Sequence, residues 1–271
     1  NYSIVGARGE DTGGSSAGAA YVFERNASGS WNEVNKLVAS DAVALDLFGK
    51  SSSISGDYAI VGTNAAGTAY VFERNATGSW NEIQLLITGT SSSISGNYSV
   101  IGGGEVVYFF ERNATGNWNE VTVTNSSDWQ ASDQFGYSSS ISANYAIVGA
   151  RYEDTGGSNA GAAYIFERNA TGSWNELRKI QASDKEADDY FGYSSSISGN
   201  YTIVGAAYED TGGSAAGAAY IFNLIDIVVV QISSPTEGQT ITTSTFDLNY
   251  TVIPMSTPGS GTLDKCWHDY G

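Results

Sequence analysis

Residues 135–180 read FGYSSSISANYAIVGARYEDTGGSNAGAAYIFERNATGSWNELRKI. Runs rich in Tyr, Ile, Val, Phe and Trp alternate there with clusters of Ser, Asn, Asp, Thr and Gly, the pattern of strands joined by tight turns. Four runs can be read, and the stretch recurs along the chain. The block SSSIS-x-x-Y-x-[IV]-[VI]-G occurs four times with Ile54, Ile94, Ile141 and Ile197 equivalent. The block AYVFERNATGSWNE recurs beside it, marked by Tyr21, Tyr70, Tyr108, Tyr164 and Tyr220 and by Trp31, Trp80, Trp118 and Trp174. Five copies are visible, the first without an opening strand and the last without its Trp strand. Four-stranded units at a period near 50 residues are the signature of propeller blades. The expected fold is therefore an all-β β-propeller of four-stranded blades over residues 1–222, followed by a different segment over 223–271. In the fifth copy strand one is expected at 193–198 and strand two at 201–205, and in the fourth copy strand three at 162–167 and strand four at 174–180.

The spacings divide the connections into two kinds. The strand-one Ile and the Gly ending strand two are always 8 residues apart, and the strand-three Tyr and strand-four Trp always 10. These are fixed-length hairpins. From the strand-two Gly to the strand-three Tyr the spacing is 15, 8, 6, 15 and 15, and the blade-to-blade crossings vary as well. In an up-and-down blade the two kinds emerge at opposite ends, so one end is uniform and the other variable. Variable loops on a rigid scaffold are where recognition usually sits. A binding face is expected on loops 10–18, 153–161 and 209–217 and crossings 39–47 and 182–190, carrying Glu10, Asp11, Glu153, Asp154, Glu209, Asp210, Asp184, Asp188 and Asp189.

Composition agrees with this class and removes others. The 271 residues hold 12 Lys+Arg against 29 Asp+Glu, a formal charge of −17, which argues against nucleic acid or an anionic membrane surface as partner. With 41% hydrophobic and 12% aromatic residues the chain has the apolar surface to fold. Gly at 33, Tyr at 17 and Pro at only 3 suit strands and turns. The single cysteine, Cys266, cannot form a disulfide within the chain, and with one histidine, His268, it cannot complete a zinc site. No apolar run reaches the length of a membrane span. Because the sequence opens on Asn1 with no signal-peptide stretch, it reads as a processed product or a piece of a longer protein.

Phe48-Gly49, Phe135-Gly136 and Phe191-Gly192 open strand one, and Gly6-Ala7-Arg8, Gly149-Ala150-Arg151 and Gly205-Ala206-Ala207 follow strand two. These residues resemble the FG-GAP repeat of integrin-α-like β-propellers. The resemblance implies an adhesive or ligand-binding role at a cell surface, extracellular and non-enzymatic. The third copy departs from the pattern, with Gly89-Thr90 where Phe-Gly is expected, and the proline of the motif is absent throughout. Many such repeats carry an Asp-rich calcium loop, since a hard cation takes a cluster of oxygens. The corresponding loops here hold only adjacent pairs of acids, so no metal is assigned. Asp184, Glu186 and Asp188 are weak calcium candidates outside the family's loop.

Nine Asn-x-Ser/Thr sequons occur, at Asn1, Asn26, Asn75, Asn97, Asn113, Asn125, Asn169, Asn200 and Asn249. Seven fall at the uniform end. Although Asn and Gly suit tight turns for conformational reasons, the turn itself does not call for Thr at the third position, so N-linked glycans are expected there. After Phe222 the segments 227–241, 245–252 and 263–270 look like the first strands of an immunoglobulin-like module of a microbial surface protein, about half present. A competing reading makes 227–232 the missing fourth strand of the fifth blade. No catalytic constellation is visible, since the one histidine stands alone and the acid pairs recur with the repeat. The function expected is adhesion through the variable face to a protein or glycan. The alternative is a structural subunit that joins copies of itself into a filament by donating strands at its ends. A calcium-dependent ligand-binding module and a glycan-active enzyme are the weakest readings.

Overall fold

The computed structural model describes residues 1–64, 67–86 and 89–224, together with strand backbones at 228–234 and 249–254. The chain divides into two compact units, Asn1–Ile221 and Phe222–Gly271. No helix occurs among the described residues. The first unit is five consecutive antiparallel sheets. The first holds β1 (Tyr2–Ala7), β2 (Ala19–Arg25) and β3 (Trp31–Leu37). The second holds β4 (Ser51–Ser55), β5 (Tyr58–Gly62), β6 (Ala69–Arg74) and β7 (Trp80–Leu86). The third holds β8 (Ser91–Ser95), β9 (Tyr98–Gly102), β10 (Val107–Arg112) and β11 (Trp118–Thr124). The fourth is β12 (Phe135–Ser142), β13 (Tyr145–Ala150), β14 (Ala162–Arg168) and β15 (Trp174–Ile180), and the fifth is β16 (Phe191–Ser198), β17 (Tyr201–Ala206) and β18 (Ala218–Asn223). Every sheet follows chain order, so each is an up-and-down meander. This is the β-propeller architecture.

Strand two shows why the sheets stack. In β5 the sequence YAIVG is apolar on both faces: Tyr58 and Ile60 pack forward on the third sheet, while Ala59 and Val61 pack back on the first. The same division holds where Tyr98, Val100 and Phe109 of the third sheet meet Phe135, Val148, Phe166 and Trp174 of the fourth. A strand with one wet face would alternate apolar and polar residues; these strands alternate between two dry faces.

The innermost strands approach too closely for ordinary side chains. Ser53 and Ser55 accept hydrogen bonds from the amides of Ile94 and Gly96 in the next sheet, and Ser93, Ser95, Ser140 and Ser142 repeat this one and two sheets on. Serine hydroxyls also meet across the sheets, Ser51 with Ser92, Ser91 with Ser139 and Ser138 with Ser195, at 2.8–2.9 Å. The glycine ending strand two is tighter still. A Cβ on Gly6, Gly102 or Gly149 would lie 1.9, 1.9 or 2.1 Å from the carbonyl oxygen of Gly49, Gly136 or Gly192 in the following sheet. Those second glycines also hold φ near +92°, which favours glycine independently. The two glycines of the motif are thus two sides of one backbone contact. In the third copy Gly89 takes the place of Gly49, and Thr90 N donates to Gly102 O as Lys50 N does to Gly62 O. A glycine therefore stands at the motif position there, one residue earlier than the sequence reading placed it, but without the positive φ of Gly49 and without the approach to the preceding strand-two glycine, Gly62, whose Cβ would meet Ser51 Oγ instead.

In the second unit β19 (Val228–Ser234) pairs antiparallel with β20 (Asn249–Pro254) as a two-stranded sheet, while the fifth sheet has three strands. The proposed third strand at 263–270, with Cys266 and His268, lies outside the described residues.

Gly149→Ala is expected to destabilise the fold by about 1–3 kcal/mol, the usual cost of overpacking, while Gly9→Ala, whose Cβ meets nothing within 4 Å, is expected to be neutral. Urea unfolding of both variants checks this; equal midpoints would refute the backbone contact.

Candidate functional site

At the variable end most of the expected binding-face acids act within their own loops. Glu10 accepts from the Thr12 amide and hydroxyl and from Lys36 Nζ at 2.7 Å. These bonds hold its carboxyl down at about 2. Glu153 is 2% exposed, accepts from Thr155 and Gln181, and pairs with Lys179 at 2.7 Å. Glu209 is buried and accepts from the Thr211 amide. Asp11 and Asp154 cap the amides of Ser16 and Asn159 five residues on. Asp210 is exposed, and its carbonyl closes a turn to the Gly213 amide.

The crossings follow the same economy. Asp184 accepts from the Tyr220 hydroxyl at 2.7 Å, as Asp41 does from Tyr70 and Asp128 from Tyr164. Burial, then the aspartate, push these three phenols well above their ordinary range. Asp188 accepts from Asn159 Nδ2, and Asp189 from the Glu186 amide. Of the weak calcium candidates Asp184, Glu186 and Asp188, the carboxylates of Asp184 and Asp188 are thus turned to separate partners. Among the described residues no three His, Cys, Asp or Glu side chains gather where a cation could be held.

A cationic and aromatic cluster lies at the same end, where strand one begins and strand two finishes. The Arg151 guanidinium sits 3.7 Å from the Tyr137 ring centroid, 4.5 Å from Tyr152 and 5.3 Å from Tyr193. Its Nε donates to Gln134 Oε1 at 2.7 Å, which fixes the plane of the fork. Tyr137 and Tyr193 pack at 5.3 Å, and Tyr190 meets both Tyr152 and Tyr208 edge-on. Lys50 occupies in the second sheet the position of Tyr137 and Tyr193, and its ammonium donates to Asn64. Burial, followed by the charges of Arg8 and Arg151, lowers its pKa. Among the described residues none of Arg8, Lys50 and Arg151 is in a salt bridge. In a chain of charge −17, Arg8 and Arg151 thus both bear electrostatically on Lys50. Sequence reading missed this cluster. Its signal was a basic or Tyr residue just after Phe-Gly, and Arg just after Gly-Ala.

The uniform end carries the sequons. Asn75 Oδ1 accepts from the Thr77 amide at 3.0 Å, the Thr77 hydroxyl at 2.7 Å and the Ser79 amide at 3.0 Å. Asn113 and Asn169 do the same with Thr115 and Thr171, and Asn26 with the Ser28 hydroxyl. The third-position hydroxyl is therefore part of the turn, which corrects the expectation that the turn does not call for it. The asparagine oxygen is occupied by these bonds, and Asn26, Asn75, Asn113 and Asn169 are exposed, as are Asn1, Asn97, Asn125 and Asn200. Asn249 lies at the start of β20.

Two measurements follow. Thr77→Val is expected to lower stability by about 0.5–1.5 kcal/mol in unglycosylated protein, and an unchanged urea midpoint would remove the hydroxyl from the turn. Burial also raises the carboxyls of Asp133 and Asp189 above the ordinary range. An acid whose folded pKa is raised opposes folding once the pH passes that value. Asp189→Asn, whose amide oxygen can still accept from Glu186, should raise the melting temperature near neutral pH, and the gain should vanish in acid.

A search of curated proteins finds no match. Among solved structures, the chain is similar to a protein from Lactobacillus plantarum, at 14% identity and a TM-score of 0.50. That match covers 76% of this chain and 60% of the other, so the chain spans less than two thirds of that protein's length. At this identity the likeness concerns the fold alone. The FG-GAP repeat family matches at residues 31–72, 118–166 and 174–222, about half of the chain. Each match runs from a strand-four Trp through the motif glycines to the next strand-three Phe. The chain belongs to the FG-GAP repeat family.

Proposed function

We propose that the chain is a non-catalytic, extracellular adhesion module whose variable end binds an acidic sugar, a carboxylate on a pyranose ring, among Arg8, Lys50 and Arg151. The observation that carries this reading is Arg151, held against the rings of Tyr137, Tyr152 and Tyr193 with no salt bridge among the described residues, while it and Arg8 bear on the ammonium of Lys50. A guanidinium fixed by stacking and by Gln134 presents its fork to a carboxylate in two parallel hydrogen bonds. Tyr193 and Tyr208, 37% and 50% exposed, offer ring faces on which the apolar side of a sugar can lie. A ligand with one negative charge is favoured over a polyanion, because a further charge would meet Asp188, which bears on Tyr190 as Arg151 does. An extracellular setting is supported by family membership and by the number of exposed sequons.

The test is a calorimetric titration of the full chain with glucuronic acid, and with glucose as its neutral counterpart. Glucuronic acid is expected to bind measurably and glucose not. Arg151→Ala is expected to weaken binding about tenfold or more, with Arg151→Lys restoring only part because the fork is lost. Equal binding of the two sugars, or Arg151→Ala and Lys50→Met variants that bind as the parent does, would overturn the reading.

A further inference from the structure

Tyr137 and Tyr193 face each other across the junction of the fourth and fifth sheets. Each stands third in the run FGYSSSIS that β12 and β16 share, so equivalent positions on neighbouring inner strands bring two phenols together. Their ring centroids are 5.3 Å apart, with the planes at 56° to each other. At the matching position the second and third sheets carry Lys50 and Thr90, so no earlier junction repeats the pair.

The two rings are held in place by their strands. One residue on from Tyr137, the Ser138 hydroxyl donates to the Gly192 carbonyl at 2.8 Å and meets the Ser195 hydroxyl at 2.9 Å, which sets the spacing of the strands on both sides of Tyr193. The Arg151 guanidinium lies 3.7 Å from the Tyr137 centroid and 5.3 Å from the Tyr193 centroid, so one cation bears on both rings. Among the described residues the other tyrosine–tyrosine contacts, Tyr152 with Tyr190 and Tyr190 with Tyr208, join loops and crossings and meet edge to face. Tyr58, Tyr70, Tyr145 and Tyr164 donate to carboxylates instead. Tyr193 is 37% exposed, so solvent reaches one member of the strand-borne pair. Two phenols fixed in contact suit oxidative coupling, because the joining step needs a second ring already at hand.

We propose that Tyr137 and Tyr193 are a site of oxidative cross-linking, coupled into dityrosine by hydrogen peroxide acting through a haem peroxidase. Each phenol gives up one electron and its hydroxyl proton. The two phenoxyl radicals join at the carbons ortho to oxygen, one carbon–carbon bond forming, and each of those carbons then passes its hydrogen to its own phenoxyl oxygen, restoring two phenols. Two hydrogen atoms leave in all, and one molecule of hydrogen peroxide takes them up as it is reduced to two of water. The bond ties the fourth sheet to the fifth and closes the chain between 137 and 193, which restricts the unfolded chain more than the folded one. It also fixes two of the three rings against which Arg151 rests. This inference concerns the covalent chemistry of the protein itself and does not depend on the ligand reading.

The test is treatment of the full chain, produced without glycans and kept dilute, with hydrogen peroxide and a haem peroxidase. The intact mass is expected to fall by two hydrogen atoms while the chain stays monomeric, and dityrosine fluorescence to appear. After trypsin, segment 113–151, which follows Arg112, should be joined to segment 186–265, which follows Lys185. A Tyr152–Tyr190 bond would join 152–168 instead, and a Tyr190–Tyr208 bond would lie within one segment, so the three pairs give three different maps. Tyr137→Phe and Tyr193→Phe keep the ring packing and should each abolish the joined segments, whereas Tyr208→Phe should leave them. The cross-linked chain should unfold at higher urea than the untreated one. Absence of dityrosine, coupling confined to dimers or to other tyrosines, or joined segments that persist in Tyr137→Phe would overturn the proposal.

Discussion

The close approach of the innermost strands is the constraint from which the rest of the propeller follows. A Cβ on Gly102 or Gly149 would collide with a main-chain oxygen of the next sheet, and hydrogen bonds from backbone amides to serine hydroxyls fill the remaining space. Only Gly and Ser leave room and still satisfy the polar groups that burial removes from water. With the inner strands fixed at that distance, the outer strands diverge. Larger side chains must occupy the widening gap, which is where Phe48, Phe135, Phe166 and the tryptophans are found.

Packing sheet on sheet has an energetic corollary. No sheet has a core of its own, because the apolar residues on each face are buried only by a neighbour. The unit is then stabilised by junctions more than by blades, as in other quasi-one-dimensional repeats. The first and fifth sheets bear the exposed Trp31, Tyr201, Ile203 and Ile221. Ion pairs at the uniform end, all partly exposed, add orientation more than free energy.

Much of the fold was legible because the repeat supplies several independent readings of each element. Strand four of the fourth copy runs over Trp174–Ile180 as the sequence indicates. Strand one of the fifth copy starts at Phe191, two residues before the expected 193, because a register shift between Phe191 and Ser194 lets the chain pair past Gly192. The loops were harder to read. Glu153 and Glu209 look like ligands in a sequence because they are acids on variable loops, yet the Thr two residues on marks a carboxylate folded back on its own turn. The cation cluster was hidden for a different reason. Arg8, Lys50 and Arg151 are far apart in the chain and differ in type, so only their shared positions near the ends of the inner strands unite them.

Three of the four interior junctions use the same contact, a strand-two tyrosine (Tyr2, Tyr58, Tyr98) against the tryptophan and arginine of the next sheet, and the loops that differ between copies take no part in it. Recombination within the gene can therefore add or remove a whole copy at any point, and the new neighbours will already fit. Loop length is free to drift, as the short third copy illustrates, while the inner glycines and serines are not. A lineage built on this plan can change its reach by counting repeats, without inventing a single new interface.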